Sequence, residues 1–327
     1  MQDTPKKLHT PAKTIVSNED LYLKIFAQQK AKSSVVLLAP LSGSNANLGK
    51  SVLNAAIQSN SNDDLDIYVV DTNNVPDKLN IEQFPNIKAV IGPIFSEEAV
   101  RFAPIFSSVP IFSLSNNVKI NNGHVYACGL APQDELKTIF EHMRTNNIDS
   151  IAFVLPKGKF FEELVASARE IATEYGIAEE NIDVLSYRKM SSQDFLSFVN
   201  SCGKQAFFVY EPLADISSIS APVFTMEAVA LANPVKWNSA KIALAENENQ
   251  KSFIETYQKS FREKPTVISL IASDLISVID YAASNNTEMF DTNFEGLCGM
   301  FSVNQEKSVE RKLRIESIYD RKAESEN

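Results

Sequence analysis

The chain has 327 residues, 44 % of them hydrophobic and 22 % charged, which is material for about two domains rather than one small one. Its 31 Lys and Arg against 41 Asp and Glu leave a formal charge of -10, and no clustered basic patch offsets it, so a nucleic-acid binder is disfavoured. No run approaches the roughly 18 consecutive apolar residues of a membrane span, and Cys128, Cys202 and Cys298 stand too far apart for a CxxC metal motif or a disulfide framework.

Residues 1–32 are polar, with six Lys and three acids, and hold no apolar stretch long enough for a signal peptide, so either the protein is cytosolic or a targeting segment was removed. They read as a tail with one short helix over Asn18–Gln29. From Ser33 the sequence alternates. Ser34–Ala39 is a β-branched apolar run, read as a buried strand. Leu48–Gln58 has helical spacing, Asp66–Asp71 and Lys88–Gly92 are strands, Glu97–Phe106 is a helix, and Pro110–Ser113 is a strand. The pattern then restarts. A helix over Ala131–Asn146 is opened by Pro132, and Ser150–Leu155 is a strand. Phe160–Tyr175 is a long amphipathic helix stopped by Gly176 in the position of a C-terminal cap. Ile182–Ser186 and Ala206–Tyr210 are strands on either side of a helix near Ser192–Val199. Lys241–Leu244 is a strand followed by helices over Gln250–Glu263 and Thr266–Ala283. Leu297–Val303 and Lys312–Ile318, separated by a charged turn, read as an antiparallel hairpin, and Arg321–Asn327 as a second polar tail. Strands alternating with helices imply parallel pairing, because a parallel crossover needs a long connection. Two such runs predict two α/β lobes, each a parallel sheet flanked by helices.

The loop after the first strand, Pro40–Ser51, imitates a phosphate cradle. Gly43 and Gly49 enclose five residues, whereas a cradle has four before Gly-Lys-Ser, and Asp71 ends the second strand as a magnesium-holding acid would. The simpler reading is a strand-to-helix turn with Lys50 in solvent. There is no Gly-x-Ser-x-Gly elbow. His124 follows the turn signal Asn121-Asn-Gly123 and reads as a loop residue, and His142 reads as a surface or boundary residue of a helix. Glu162-Glu163 and Glu179-Glu180 read as solvated faces, since adjacent helical positions diverge. Three loops at strand ends are richer in ligand-type groups: Ser42–Asn47, Ser96 as a candidate N-cap, and Ser115–Asn117. In open parallel sheets that edge is where ligands sit.

The runs VVLLAPLSG (35–43), AVIGPIFS (89–96) and VPIFSLSNN (109–117), in that order, resemble the type I periplasmic binding protein superfamily. So do IAFVLP (151–156) with its long helix ending in Tyr175-Gly176, and the closing FEGLCGMFSV (294–303) with ERKLR (310–314). SNN followed by VYACGLAPQ (125–133) is most similar to the bacterial penicillin-binding protein activator group, whose binding-protein domain is like that of the branched-chain amino-acid receptors. The resemblance covers about Ser33 to Tyr319. It implies two lobes, 33–127 with 243–296 and 128–242 with 297–320, joined by three crossing segments around an interlobe cleft. It implies an envelope lipoprotein, exported to the periplasm, whose targeting segment and lipid-bearing Cys lay upstream and were trimmed. The implied role is non-enzymatic and without cofactor or metal: contact with cell-wall (peptidoglycan) synthesis machinery such as a penicillin-binding protein, or a small-molecule ligand in the cleft. Membrane contact would come only through the removed anchor. The alternative is a solute receptor for amino acids or related metabolites serving the permease of an ABC transporter. A third reading, an ATP-using enzyme built on the glycine loop, needs Lys50 for nucleotide.

The resemblance also implies a ligand set. Ser96, four places after Gly92, matches the serine that holds a ligand carboxylate in the receptors. Ser115, Asn116 and Asn117 lie at the end of the following strand, which supplies backbone and hydroxyl groups for the ligand; Ser42 joins the set from the strand-end loop reading above. Phe160, followed by Phe161, stands where receptors usually carry Tyr-Gly, and Tyr210 and Glu211 are placed to meet a ligand ammonium.

Overall fold

A computed structural model of the chain describes residues 15–18, 22–25, 33–60, 65–75, 79–245, 248–285, 287, 289–304 and 309–318. The expected tail at 321–327 and His9 lie outside these residues. The strands and helices are β1 (Ile15–Asn18), β2 (Tyr22–Ile25), β3 (Ser33–Ala39), α1 (Ala46–Ser59), β4 (Leu65–Asp71), β5 (Ile87–Ile91), α2 (Ser96–Phe102), β6 (Ile111–Ser113), β7 (Val125–Ala127), α3 (Pro132–Thr145), β8 (Ile151–Pro156), α4 (Lys159–Glu174), β9 (Ile182–Tyr187), α5 (Ser192–Ser201), β10 (Ala206–Val209), β11 (Val223–Thr225), α6 (Glu227–Ala232), β12 (Lys241–Leu244), α7 (Glu248–Phe261), α8 (Val267–Asn285), β13 (Asn293–Gly296), β14 (Gly299–Val303), β15 (Val309–Lys312) and β16 (Arg314–Ser317). They fall into two compact units, Met1–Leu130 with Asn247–Glu310 and Ala131–Glu246 with Arg311–Asn327. The chain therefore passes from one unit to the other at three points.

The first unit holds a seven-stranded sheet in the order β1-β2-β4-β3-β5-β6-β7. All seven residues of β3 are buried, as expected of a central strand covered on both faces, where both alternate side-chain sets must be apolar. One face carries Val36, Leu38, Tyr68, Val70, Phe102 and Phe106. Fully burying one such aliphatic side chain contributes about 1.5–3 kcal/mol. The other face is reached by α1 and α8, which pack on each other through small residues and bridge Ser51 to Ser269 by a 2.6 Å hydroxyl hydrogen bond. By length and composition α8 would pass for a membrane span, but 67 % of that window is buried in the protein, the signature of a core helix.

The second unit's sheet runs β16-β12-β11-β10-β8-β9, parallel except for β16. The strand period of two decides its cores. Neighbours Phe207 and Phe208 on β10 enter opposite clusters, Phe208 with Phe153, Phe140 and Phe224, and Phe207 with Phe195, Trp237 and Ile242. Gly176, at φ +77°, ends α4 as the sequence predicts. Its N–H bonds Thr173 O at 3.2 Å and that of Ile177 bonds Ala172 O at 3.0 Å, the paired bonds of a Schellman cap.

Three expectations are corrected. Of the helix predicted over Asn18–Gln29, the described residues are strand: Asn18 ends β1, and Tyr22–Ile25 is β2, which pairs antiparallel with β1 and with β4, so part of the presumed tail extends the sheet; the rest of that range lies outside the described residues. Of the expected partner Lys312–Ile318, Leu297–Val303 meets only the strand that holds its first residue: β14 neighbours β15, which ends at Lys312, and Arg314–Ser317 goes elsewhere. Leu297 and Cys298 form the turn between β13 and β14, β15 is the third strand of that small sheet, and β16 pairs with β12 in the other sheet. Residues 297–310, expected in the second lobe, consequently fall in the first unit, and all of β12 falls in the second. The physical reason lies in Asp274 of α8, whose carboxylate accepts the N–H groups of Leu297 (2.5 Å) and Cys298 (3.1 Å) and ties the hairpin to the first unit's core helix.

Candidate functional site

In the first unit β3, β5 and β6 are adjacent and parallel, so the three loops singled out from sequence emerge along one sheet edge. The glycine loop is a turn held by Asp71. Its carboxylate accepts from Leu41 N (2.9 Å) and Asn73 N (3.1 Å), and Asn73 Nδ2 donates to Ser42 O at 2.6 Å. Burial alone would raise the Asp71 carboxyl, but hydrogen bonds from the Ser42 hydroxyl and from the Leu41, Asn73 and Ser42 backbone hold it below the ordinary carboxylate value. Helix α1 already begins at Ala46, so Lys50 sits a full turn inside it and is exposed. A Cβ at Gly49 would lie 2.0 Å from the Pro40 carbonyl oxygen. Gly49 is required by the close approach of helix and strand end, not by a phosphate, and the loop keeps its structural reading.

Ser96 is the first residue of α2 rather than its cap. Phe95 occupies the cap position and makes no side-chain cap bond, a correction that leaves the half-buried Ser96 hydroxyl without a hydrogen bond to the described residues. Gly92, at φ +85°, ends β5 where a Cβ would meet Leu38 O at 2.1 Å. Pro93 O accepts from both Ser113 Oγ (3.0 Å) and Leu114 N (2.9 Å), which locks this loop to the next. Ser115 is buried and its hydroxyl accepts from Asn117 N (3.1 Å), while Asn117 Oδ1 accepts from Lys119 N (3.1 Å). Both side chains are thus committed to their own turns. Asn116 is exposed and makes no hydrogen bond to the described residues.

In the second unit β9, β8 and β10 are adjacent, and their carboxyl ends bring Phe160, Tyr210 and Glu211 together. Phe160, 44 % exposed, stands edge-on to Phe161 (5.2 Å) and to Tyr210 (6.4 Å), and Phe161 to Tyr210 (4.7 Å). Tyr187, at the end of β9, donates its hydroxyl to Glu211 Oε2 at 2.8 Å. Burial, then the bond to Glu211 and its charge, push that hydroxyl far above its ordinary value and keep it a donor. Sequence reasoning missed Tyr187, although a tyrosine ending a strand is a recognisable signal.

It also missed a pair of buried acids. Glu135, in the first turn of α3, is 4 % exposed and accepts the backbone N–H of Glu227 at 2.9 Å. Glu227, itself 6 % exposed, opens α6 just after β11, which neighbours β10, so it stands at the same sheet edge as Tyr210. Burial first, together with the charges of Glu227 and Asp134 and against the Glu227 amide, pushes the Glu135 carboxyl up to about 8. The neighbouring Thr225 hydroxyl is buried without a hydrogen-bond partner. Nothing in a three-residue strand signals this pairing across 92 positions. Among the described residues no cluster of His, Cys, Asp and Glu could hold a metal ion. His124 is tied to Ala103 O (3.1 Å) and His142 lies 3.3 Å from Lys241 Nζ, against the edge of Phe224.

No protein-family model matches the chain, and no characterised protein matches it by sequence. Solved structures do match. A protein described as a branched-chain amino acid ABC transporter from Rhodospirillum rubrum superposes with a TM-score of 0.73 at 14 % identity, over 88 % of this chain and 97 % of that one. The chain has the type I periplasmic-binding-protein fold. The C-domain of LpoA from Haemophilus influenzae, a regulator of PBP1A, matches with a TM-score of 0.69 at 15 % identity, covering 88 % of this chain and 98 % of that domain. A solute binding protein of an ABC transporter from Rhodopseudomonas palustris, in complex with 3,4-dihydroxybenzoic acid, matches with a TM-score of 0.59 at 16 % identity, covering 87 % and 92 %. These identities carry the fold and leave each neighbour's ligand or partner its own.

Proposed function

We propose that this protein is a non-enzymatic cell-envelope binding protein of the penicillin-binding protein activator type, working by contact with a cell-wall synthase rather than by uptake of a solute. One observation carries the reading: the groups that a receptor would turn toward a ligand are largely spent within the chain. Ser115 and Asn117 close their own turns, and Glu211 is held by Tyr187. The likeness to the LpoA C-domain supports the same partner class. An envelope location and a lipid anchor upstream belong to this proposal.

The second reading, a solute receptor, is favoured by Ser96 and Asn116, whose side chains remain uncommitted, and by the buried acid Glu227. A thermal-shift panel of amino acids and cell-wall peptides separates the two. The activator reading expects no shift with amino acids, a Ser96→Ala variant identical to wild type, and a complex with a penicillin-binding protein in pull-down. An amino acid that stabilises the chain by about 2.7 kcal/mol at ~100 times its Kd, with the effect lost in Ser96→Ala, would overturn it in favour of the receptor.

A further inference from the structure

We propose that the first unit carries a second ligand site, a cavity between α8 and the β13–β14 hairpin that takes a small organic cation: an ammonium group on a flat apolar body. The cavity is about 260 Å3, and the residues that line it lie between Asn249 and Phe301, within one unit. It shares none of them with the sheet-edge residues described above.

Its walls follow from two periodicities. Asp274, Ser277, Val278 and Tyr281 recur at three- and four-residue spacing and so form one stripe of α8. Phe294 and Phe301 are direct cross-strand partners and so present their rings on one face of the hairpin, with centroids 5.9 Å apart. Tyr281 meets Phe294 edge-to-face at 6.5 Å. Tyr281 is 55 % exposed, although its neighbours Ile279 and Ala282 are buried in the core, so its ring stands at the cavity mouth rather than in the packing.

The acid on the wall is held in place. Asp274 is 3 % exposed and grips the hairpin turn through the two amide bonds given above. A Cβ at Gly296 would come within 2.5 Å of that carboxylate, so the glycine is what allows the hairpin to sit on the acid. The described lining residues include two acids, Asp274 and Glu295, and no Lys, Arg or His. An aromatic face attracts a cation through its ring quadrupole, and an acidic wall repels an anion. The volume lies at the small end for ligand pockets, which suits a single ring with a short amine and excludes a peptide.

The test uses an isosteric series on the full chain by isothermal titration: 2-phenylethylamine, 2-phenylethanol and phenylacetate. The amine binds saturably, the alcohol about tenfold more weakly, and phenylacetate not at all. Tyr281→Ala and Tyr281→Lys, both at an exposed position and both checked for native circular dichroism, weaken the amine by about tenfold or more. Phe160→Ala and Tyr210→Ala leave it unchanged. The proposal is overturned by an absence of saturable heat with the amine up to about 10 mM, by equal binding of the alcohol or the acid, or by wild-type affinity in both Tyr281 variants. Loss on Phe160→Ala instead would move the amine to the second unit, refuting this cavity while leaving the sheet-edge reading standing.

Discussion

Replacing Glu135 by Gln should make the protein more stable at neutral pH and change little in mild acid. The carboxyl is buried beside Glu227, and its folded value is pushed up from 4.5 to about 8. Between those limits the folded chain binds more protons than the unfolded chain, so stability falls as pH rises. The penalty is absent below about pH 4.5, grows by roughly 1.4 kcal/mol per pH unit, and levels off above about pH 8. Glutamine retains the side-chain oxygen that accepts the Glu227 amide and removes the titration. The variant should therefore gain about 3 kcal/mol at pH 7 but less than ~1 kcal/mol at pH 5. Urea unfolding at pH 5, 6, 7 and 8 reads this directly as a gap between the two stability curves that widens with pH. Parallel curves, or a gap that narrows with pH, would refute the assignment of a raised Glu135.

Gly49→Ala should cost about 3 kcal/mol or more in chemical denaturation, because the added methyl would sit 2.0 Å from a backbone carbonyl that cannot swing away. Gly176→Ala should cost only about 1 kcal/mol, since the space there is open and the strain of the positive φ is the whole effect. Tyr187→Phe removes the donor to Glu211 while keeping the ring, and should lower stability by about 1 kcal/mol by the same assay. Magnesium ATP should produce no thermal shift in either wild type or Lys50→Ala, and a shift that the substitution abolishes would revive the phosphate-cradle reading.

The candidate site was legible where chemistry and element ends coincide. Tyr210 and Glu211 are read from a strand terminus, whereas Phe160, in the first turn of α4, comes only from the family resemblance; β8 and β10 are adjacent and parallel, and Phe160 lies 6.4 Å from Tyr210. The roles within the loops were less legible. Ser96 looks like a cap because serine favours that position, but the backbone turns helical one residue earlier than a cap allows, and Phe95 takes the place. The phosphate-like spacing of Gly43 and Gly49 has a cause invisible in sequence, the contact of Gly49 with Pro40.

What the sequence alone determined was local: the alternation of strand and helix, the cap at Gly176, the buried character of β3, and the order of motifs that points to a periplasmic-binding-protein fold. All but the motif order are carried by residues within single elements, where side-chain period and backbone preference act over a few positions. Only the tertiary structure decided that Tyr22–Ile25 joins a sheet instead of forming a helix, that β14 pairs with β13 while β16 crosses to β12, and that Glu135 meets Glu227. Those outcomes depend on partners tens to hundreds of residues away. A strand's neighbour and a buried acid's neighbour are set by which surfaces must be covered together, and no local pattern encodes that.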